Sequence, residues 1–144
     1  PPPPLPPPPH RYPSGDLDQV LVKLTAEEAG RFGARCLDGS LPAMYVAPAT
    51  SEAARDKWVL YFMGGGWCWQ DGGCIQRART KLGSTDNLPH FLNATWDKSS
   101  GPLHPNATLN PSFAAFNRVL FWYCDGASFA GDRLVPSIYI MTMI

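Results

Sequence analysis

The run Trp58-Val59-Leu60-Tyr61-Phe62-Met63 is apolar throughout, and Gly64-Gly65-Gly66 cuts it off. A half-exposed strand alternates apolar with polar residues, and this run does not. It therefore predicts a strand covered on both faces, inside a parallel sheet flanked by helices. A second run, Arg118-Val119-Leu120-Phe121-Trp122-Tyr123, has the same character and stops at Cys124-Asp125-Gly126. Helix formers over Cys74–Leu82, ended by Gly83, and a long polar stretch over Ser84–Pro111 separate the two. Buried strands joined in this way predict an α/β fold.

The other elements are shorter. Val20, Val22 and Leu24 predict a partly buried strand, and Thr25 stands three residues before Glu28, as in a capping box. Gly30 and Gly33 keep the following helix short. Leu37-Asp38-Gly39-Ser40 is a turn, Ala43–Ala47 a short strand and Pro48–Lys57 a surface loop. Ser84–Pro111, with four prolines, reads as loop; a stretch of that length in a compact domain is usually functional or disordered. At the start, Pro1–Gly15 predicts an extended polyproline helix acting as a spacer, because proline fixes φ and removes a donor. Three regions result: a proline-rich segment over 1–18, a domain over 19–132 and a short apolar tail over 133–144.

Charge narrows the partners. Twelve basic residues balance twelve acidic ones in 144, giving a net charge of zero. A protein that holds nucleic acid through its phosphates, or an anionic membrane surface, carries a basic excess. No apolar stretch reaches the length needed to cross a bilayer. The chain shows neither an initiator Met nor a basic-then-apolar leader, and it reads as a piece of something longer.

Cys36, Cys68, Cys74 and Cys124 form no C-x-x-C pair and have no histidine at zinc-finger spacing, so no metal site is expected. An even count without ligand spacing suits two disulfides, for which three connectivities are open. The sequons Asn93-Ala94-Thr95 and Asn106-Ala107-Thr108 lie in the polar stretch. Together these features point to the secretory pathway.

The chemistry centres on Gly64-Gly65-Gly66 at the end of an apolar strand. Glycines there let the backbone turn so that consecutive N–H groups face one cavity, where they can hold the oxyanion of an ester's tetrahedral intermediate. Phosphate binding is the competing use. The chain has no G-x-x-x-x-G-K-[ST] motif and no G-x-G-x-x-G opening a helix. A plain tight turn beside Cys68 is the structural alternative.

Five segments in order carry a family resemblance: Cys36–Ser40; Gly64-Gly65-Gly66-Trp67-Cys68; Arg77–Ser84; Asn110-Pro111 with Asn117-Arg118; and Tyr123–Asp132. Over about Leu21 to Asp132 the chain resembles the pectin acetylesterase/Notum family. That resemblance implies a partial α/β-hydrolase fold, secretion, and hydrolysis of carboxylic esters by a Ser-His-Asp triad without metal or cofactor. Acetylated pectin is the implied substrate. Gly64, Gly65 and Gly66 are the implied oxyanion donors, with Trp67 and Trp69 at the mouth of the pocket or packed beside it. With the spacing, the resemblance also implies disulfides Cys36–Cys124 and Cys68–Cys74. One family position departs: Met63 stands where a glutamate usually precedes the glycines.

The triad itself is not visible. Gly126-Ala127-Ser128-Phe129-Ala130-Gly131 imitates a nucleophile elbow, but His10, His90 and His104 all precede Ser128, against the order Ser, Asp, His. The family resemblance makes this segment a pocket-side loop and places the nucleophile downstream. The reading is thus the oxyanion side of an esterase, inactive by itself. The alternative is a secreted, non-catalytic glycan-binding or interaction module that uses Trp67, Trp69 and the polyproline arm.

Overall fold

The computed structural model describes residues 19–69, 71–92 and 101–131. The polyproline segment, Asn93, Asp132 and the tail over 133–144 lie outside the described residues. Five strands form one sheet: β1 Gln19–Lys23, β2 Ala43–Ala47, β3 Trp58–Phe62, β4 Phe91–Leu92 and β5 Asn117–Phe121. Two helices accompany them, α1 Ala26–Arg31 and α2 Asp71–Ala78. The sheet order is β3-β5-β2-β1-β4.

Local chemistry accounts for the N-terminal elements. The Glu28 amide donates to Thr25 Oγ1 at 3.2 Å, and the Thr25 amide returns a bond to Glu28 Oε2 at 2.8 Å, completing the capping box. Gly33, at φ +62°, then ends α1 in a backbone region that other residues resist. At the next turn Asp38 Oδ1 accepts from the Ser40 amide at 2.9 Å and Gly39 takes φ +88°. β2 alternates cleanly, with Ala43, Tyr45 and Ala47 buried.

Two expectations are corrected here. The sheet is mixed rather than mostly parallel. β1 pairs antiparallel with β2 and β4, and β2 pairs antiparallel with β5; only β3 and β5 run parallel. The connection from β1 to β2, which carries α1, returns the chain antiparallel, whereas the long crossover between β3 and β5 brings those two strands parallel. Nor is β3 an interior strand. It lies at the edge of the described sheet with Trp58, Leu60, Tyr61 and Phe62 exposed, and only Val59 and Met63 pack toward the core. An unbroken apolar run signals that both faces are suited to burial; it does not specify the neighbour that covers them.

Smaller differences follow the same logic. The helix expected over Cys74–Leu82 spans Asp71–Ala78 instead, and the chain leaves it through turns closed by the Thr80 amide on Arg77 O and the Gly83 amide on Thr80 O. A Cβ on Gly83 would lie 2.4 Å from Arg77 O, so this tight exit requires glycine. The stretch over Ser84–Pro111 contains β4 and a helical turn, Gly101–Leu103. Two asparagines pin the loops around β5. Asn117 Nδ2 donates to the carbonyls of Arg55 and Lys57, and Asn117 Oδ1 accepts from the Ala49 amide. Asn110 Nδ2 donates to the carbonyls of Pro102 and His104. Both side chains are buried and hydrogen-bonded, the condition under which burying an amide is tolerated.

The core gathers Tyr45, Leu88, Leu92, Leu103, Leu120 and Trp122 around the Cys36–Cys124 bridge. Trp122 meets Tyr45 edge-on at 5.7 Å between ring centres and donates its indole N–H to Lys81 O at 2.7 Å.

Candidate active site

Because β3 and β5 are parallel, the segments leaving their C-terminal ends emerge on the same side of the sheet. Gly64–Trp67 leaves β3, and Tyr123–Ser128 follows β5. The crevice outside the carboxyl ends of parallel strands is where open α/β sheets place their ligands.

Sheet pairing ends before the glycines. The Met63 amide still donates to Phe121 O at 3.1 Å, and the Cys68 amide donates to Gly126 O at 3.1 Å. Between them, the N–H groups of Gly64, Gly65, Gly66 and Trp67 have no hydrogen-bond acceptor among the described residues. All four residues are exposed. Gly66 sits at φ +72°, a conformation that glycine adopts without strain.

Two carbonyls of the loop, those of Gly65 and Gly66, are held from the other side. Arg77 Nη2, from α2, donates to Gly65 O. The Tyr123 hydroxyl donates to Gly66 O at 2.7 Å and accepts from the Ser128 amide at 3.1 Å. The Arg77 guanidinium lies 5.2 Å above the Tyr123 ring, a cation–π distance, while Arg77 Nε bonds Leu82 O. Gly65 is pressed against this pair: a Cβ there would lie 2.5 Å from Tyr123 Cδ1 and 2.9 Å from Arg77 Nη2.

Two disulfides frame the loop with the pairing that the resemblance implied. Cys68–Cys74 ties the residue after Trp67 to α2, and Cys36–Cys124 ties the first turn to the end of β5. Gly126 lies against the shorter bridge, where a Cβ would come within 2.6 Å of Cys68 Sγ. Trp67 and Trp69 are both exposed, at 67% and 82%. Trp67 does not float free, because its indole N–H donates to Ser128 Oγ. Met63 packs against the core, so no carboxylate occupies that position beside the loop.

Among the described residues Ser128 has no histidine partner. Its hydroxyl accepts from Trp67, and its backbone is left-handed at φ +56°, as is Phe129 at +60°. His104 Nδ1 accepts from the Asn106 amide, and neither His104 nor His90 bonds to Ser128. Asn106 is exposed in a turn closed by its own Oδ1 on the Thr108 amide. Arg77 and Tyr123 are the site residues that motif reading passed over. Both stand inside segments that carry the family resemblance, but their contacts with the glycine loop cross the fold.

A family model for pectinacetylesterase matches residues 16–139. The chain belongs to the pectinacetylesterase family. Among its relatives, Pectin acetylesterase 4 of Arabidopsis thaliana is 40% identical over 114 residues, which are 79% of this chain and 26% of that protein. Pectin acetylesterase 5 of the same plant is 36% identical over 116 residues, 81% of this chain and 25% of the relative. A palmitoleoyl-protein carboxylesterase Notum from Schmidtea mediterranea is 31% identical, over 69% of this chain and 18% of that protein. The chain thus spans about a quarter of the length of the plant pectinacetylesterases it matches. In structure it resembles the Wnt deacylase Notum from Drosophila, with TM-scores of 0.65 and 0.67 in two crystal forms at 23% identity. Those likenesses cover 82% and 85% of this chain, but 31% and 32% of the fly protein. The fold is accordingly part of an α/β-hydrolase-like domain.

Proposed function

We propose that this chain is the oxyanion-side portion of a secreted carboxylic-ester hydrolase that deacetylates pectin. One observation carries the reading: a run of backbone N–H groups, Gly64 to Trp67, stands free of the sheet ladder at the C-terminal end of β3. When an ester carbonyl is attacked, negative charge collects on its oxygen. Fixed donors about 2.7–3.1 Å from that oxygen stabilise the transition state more than the ground state. Losing one such donor costs on the order of 10²–10³ in kcat. The nucleophile, acid and base belong, on this reading, to sequence beyond these 144 residues. Two disulfides and the exposed Asn106 sequon support passage through the secretory pathway. Family membership supports acetylated polysaccharide as substrate.

A chimera tests the reading. Residues 19–131 would replace the matching segment of Pectin acetylesterase 4, with acetate release from acetylated pectin as the assay. Retained turnover is the expected result; a folded, secreted chimera without turnover would overturn it. The 144-residue chain alone should not hydrolyse p-nitrophenyl acetate above background, since a serine without an adjacent base is a weak nucleophile. Stoichiometric fluorophosphonate labelling at Ser128, lost in Ser128→Ala, would instead make this chain an enzyme by itself.

The exposed rings of Trp67 and Trp69 favour a second reading, a non-catalytic glycan-binding module. Calorimetry with acetylated oligogalacturonides separates the two: saturable binding lost in Trp69→Ala, alongside an inactive chimera, would select the module.

A further inference from the structure

We propose that Arg77 and Tyr123 are positioning residues that aim the oxyanion donors by holding the opposite faces of the same peptide groups. The proposal rests on the oxyanion reading of the loop. In a trans peptide the carbonyl and the following N–H point in opposite directions within one rigid plane. The described residues contain no cis peptide. Arg77 holds the Gly65 carbonyl, so the Gly66 N–H is directed away from α2. Tyr123 holds the Gly66 carbonyl, so the Trp67 N–H is directed away from the Tyr123 hydroxyl. Two consecutive donors are fixed without either being used.

The clamp is itself directed. The Ser128 amide donates to the Tyr123 oxygen, which leaves the hydroxyl proton for Gly66 O. The left-handed backbone at Ser128 and Phe129 costs free energy that a free loop would release. Phe129 also packs on the Tyr123 ring at 5.4 Å and on Phe62 at 5.2 Å between ring centres. On the glycine side the ring meets Gly65, where no side chain fits. Ser128 and Phe129, within the Gly126–Gly131 run that imitates a nucleophile elbow in sequence, thereby act as the support of the oxyanion loop.

The test uses the oxidised 144-residue chain labelled with ¹⁵N, as wild type, Tyr123→Phe and Arg77→Lys. In the wild type, the Gly66 and Trp67 amides should have order parameters near those of the sheet, about 0.85, and both should shift saturably on titration with acetate as a carboxylate probe. In Tyr123→Phe those two amides should fall below about 0.6 while the β2 and β5 amides stay unchanged. The acetate response should weaken at least several-fold, and Arg77→Lys should show the smaller loss. A general loss of packing would move the sheet amides as well. Unchanged loop amides in both variants would overturn the proposal. If a variant does not fold, a wild-type loop already below about 0.6 would overturn it without any substitution, and a rigid one would support it. Loosened loop amides in the variants, with no acetate response in the wild type, would keep the clamp and reject the oxyanion reading.

Discussion

Tyr45 shows how much a single residue of β2 supports. Its ring is fully buried against Trp122, and its hydroxyl donates to Pro89 O at 2.8 Å. Tyr45→Phe keeps the ring but removes that bond, and should lower stability to urea by about 1 kcal/mol. Burial pushes the Tyr45 phenol up to about 12. The pKa is raised on folding, so the contribution is complete below the unfolded value near 10. It is lost as pH rises toward 12, because the unfolded chain gives up the proton first. Urea midpoints measured from pH 9 upward should fall in the wild type, and the fall should be shallower in Tyr45→Phe. Gly65→Ala makes a sharper case. A methyl 2.5 Å from Tyr123 Cδ1 must displace the ring. The expected outcome is a shifted intrinsic tryptophan emission, lost when Trp67 is replaced by Phe, with an almost unchanged far-ultraviolet circular dichroism spectrum.

Among the elements, the two disulfides differ in reach. Cys36–Cys124 closes 88 residues of sequence separation and Cys68–Cys74 only six. In the chain-entropy model their removal costs about 4–5 and about 2 kcal/mol respectively. Cys36→Ala with Cys124→Ala should therefore abolish cooperative unfolding at ordinary temperature. Cys68→Ala with Cys74→Ala should leave it intact and release the glycine loop from α2. A scanning-calorimetry comparison that reversed this order would remove the long bridge from its place in the core. β5 carries a different cost. Arg118 is buried, donates from Nη1 to Leu103 O at 3.4 Å and leaves Nε without a partner. Desolvation lowers its pKa, as expected for a cation taken out of water. A buried charge with incomplete bonding stabilises little, so Arg118→Met should change the urea midpoint only slightly or raise it.

For the molecule as a whole, the open side of β3 dominates. Trp58, Leu60, Tyr61 and Phe62 are exposed together on a strand whose outer edge has no partner among the described residues. Unpaired apolar edges recruit other chains. Sedimentation velocity should show concentration-dependent association of the 144-residue chain in the micromolar range, reduced by Leu60→Lys. A monomer at all concentrations would mean that this edge is covered. In the pectinacetylesterases that this chain matches over about a quarter of their length, the remaining sequence is the natural candidate to cover it.

Local rules act over a few residues, and those features were legible in the sequence. The capping box at Thr25, the turn at Asp38-Gly39-Ser40, the strands Ala43–Ala47 and Trp58–Phe62, and the break at Gly64 all follow from adjacent side chains and backbone preference. Order and identity of five motifs carried the family. Strand direction was not legible, because an apolar run fits either a parallel or an antiparallel neighbour until the connection places it. The exposure of β3 was hidden for a related reason: burial depends on what packs nearby, and the run itself is silent on that. The clamp of Arg77 and Tyr123 on Gly65 and Gly66 joins residues 12 and 57 apart in sequence. The parallel pairing of β3 with β5 brings Tyr123 to Gly66, and the Cys68–Cys74 bridge holds α2, with Arg77, beside the same loop; neither arrangement exists before the chain folds.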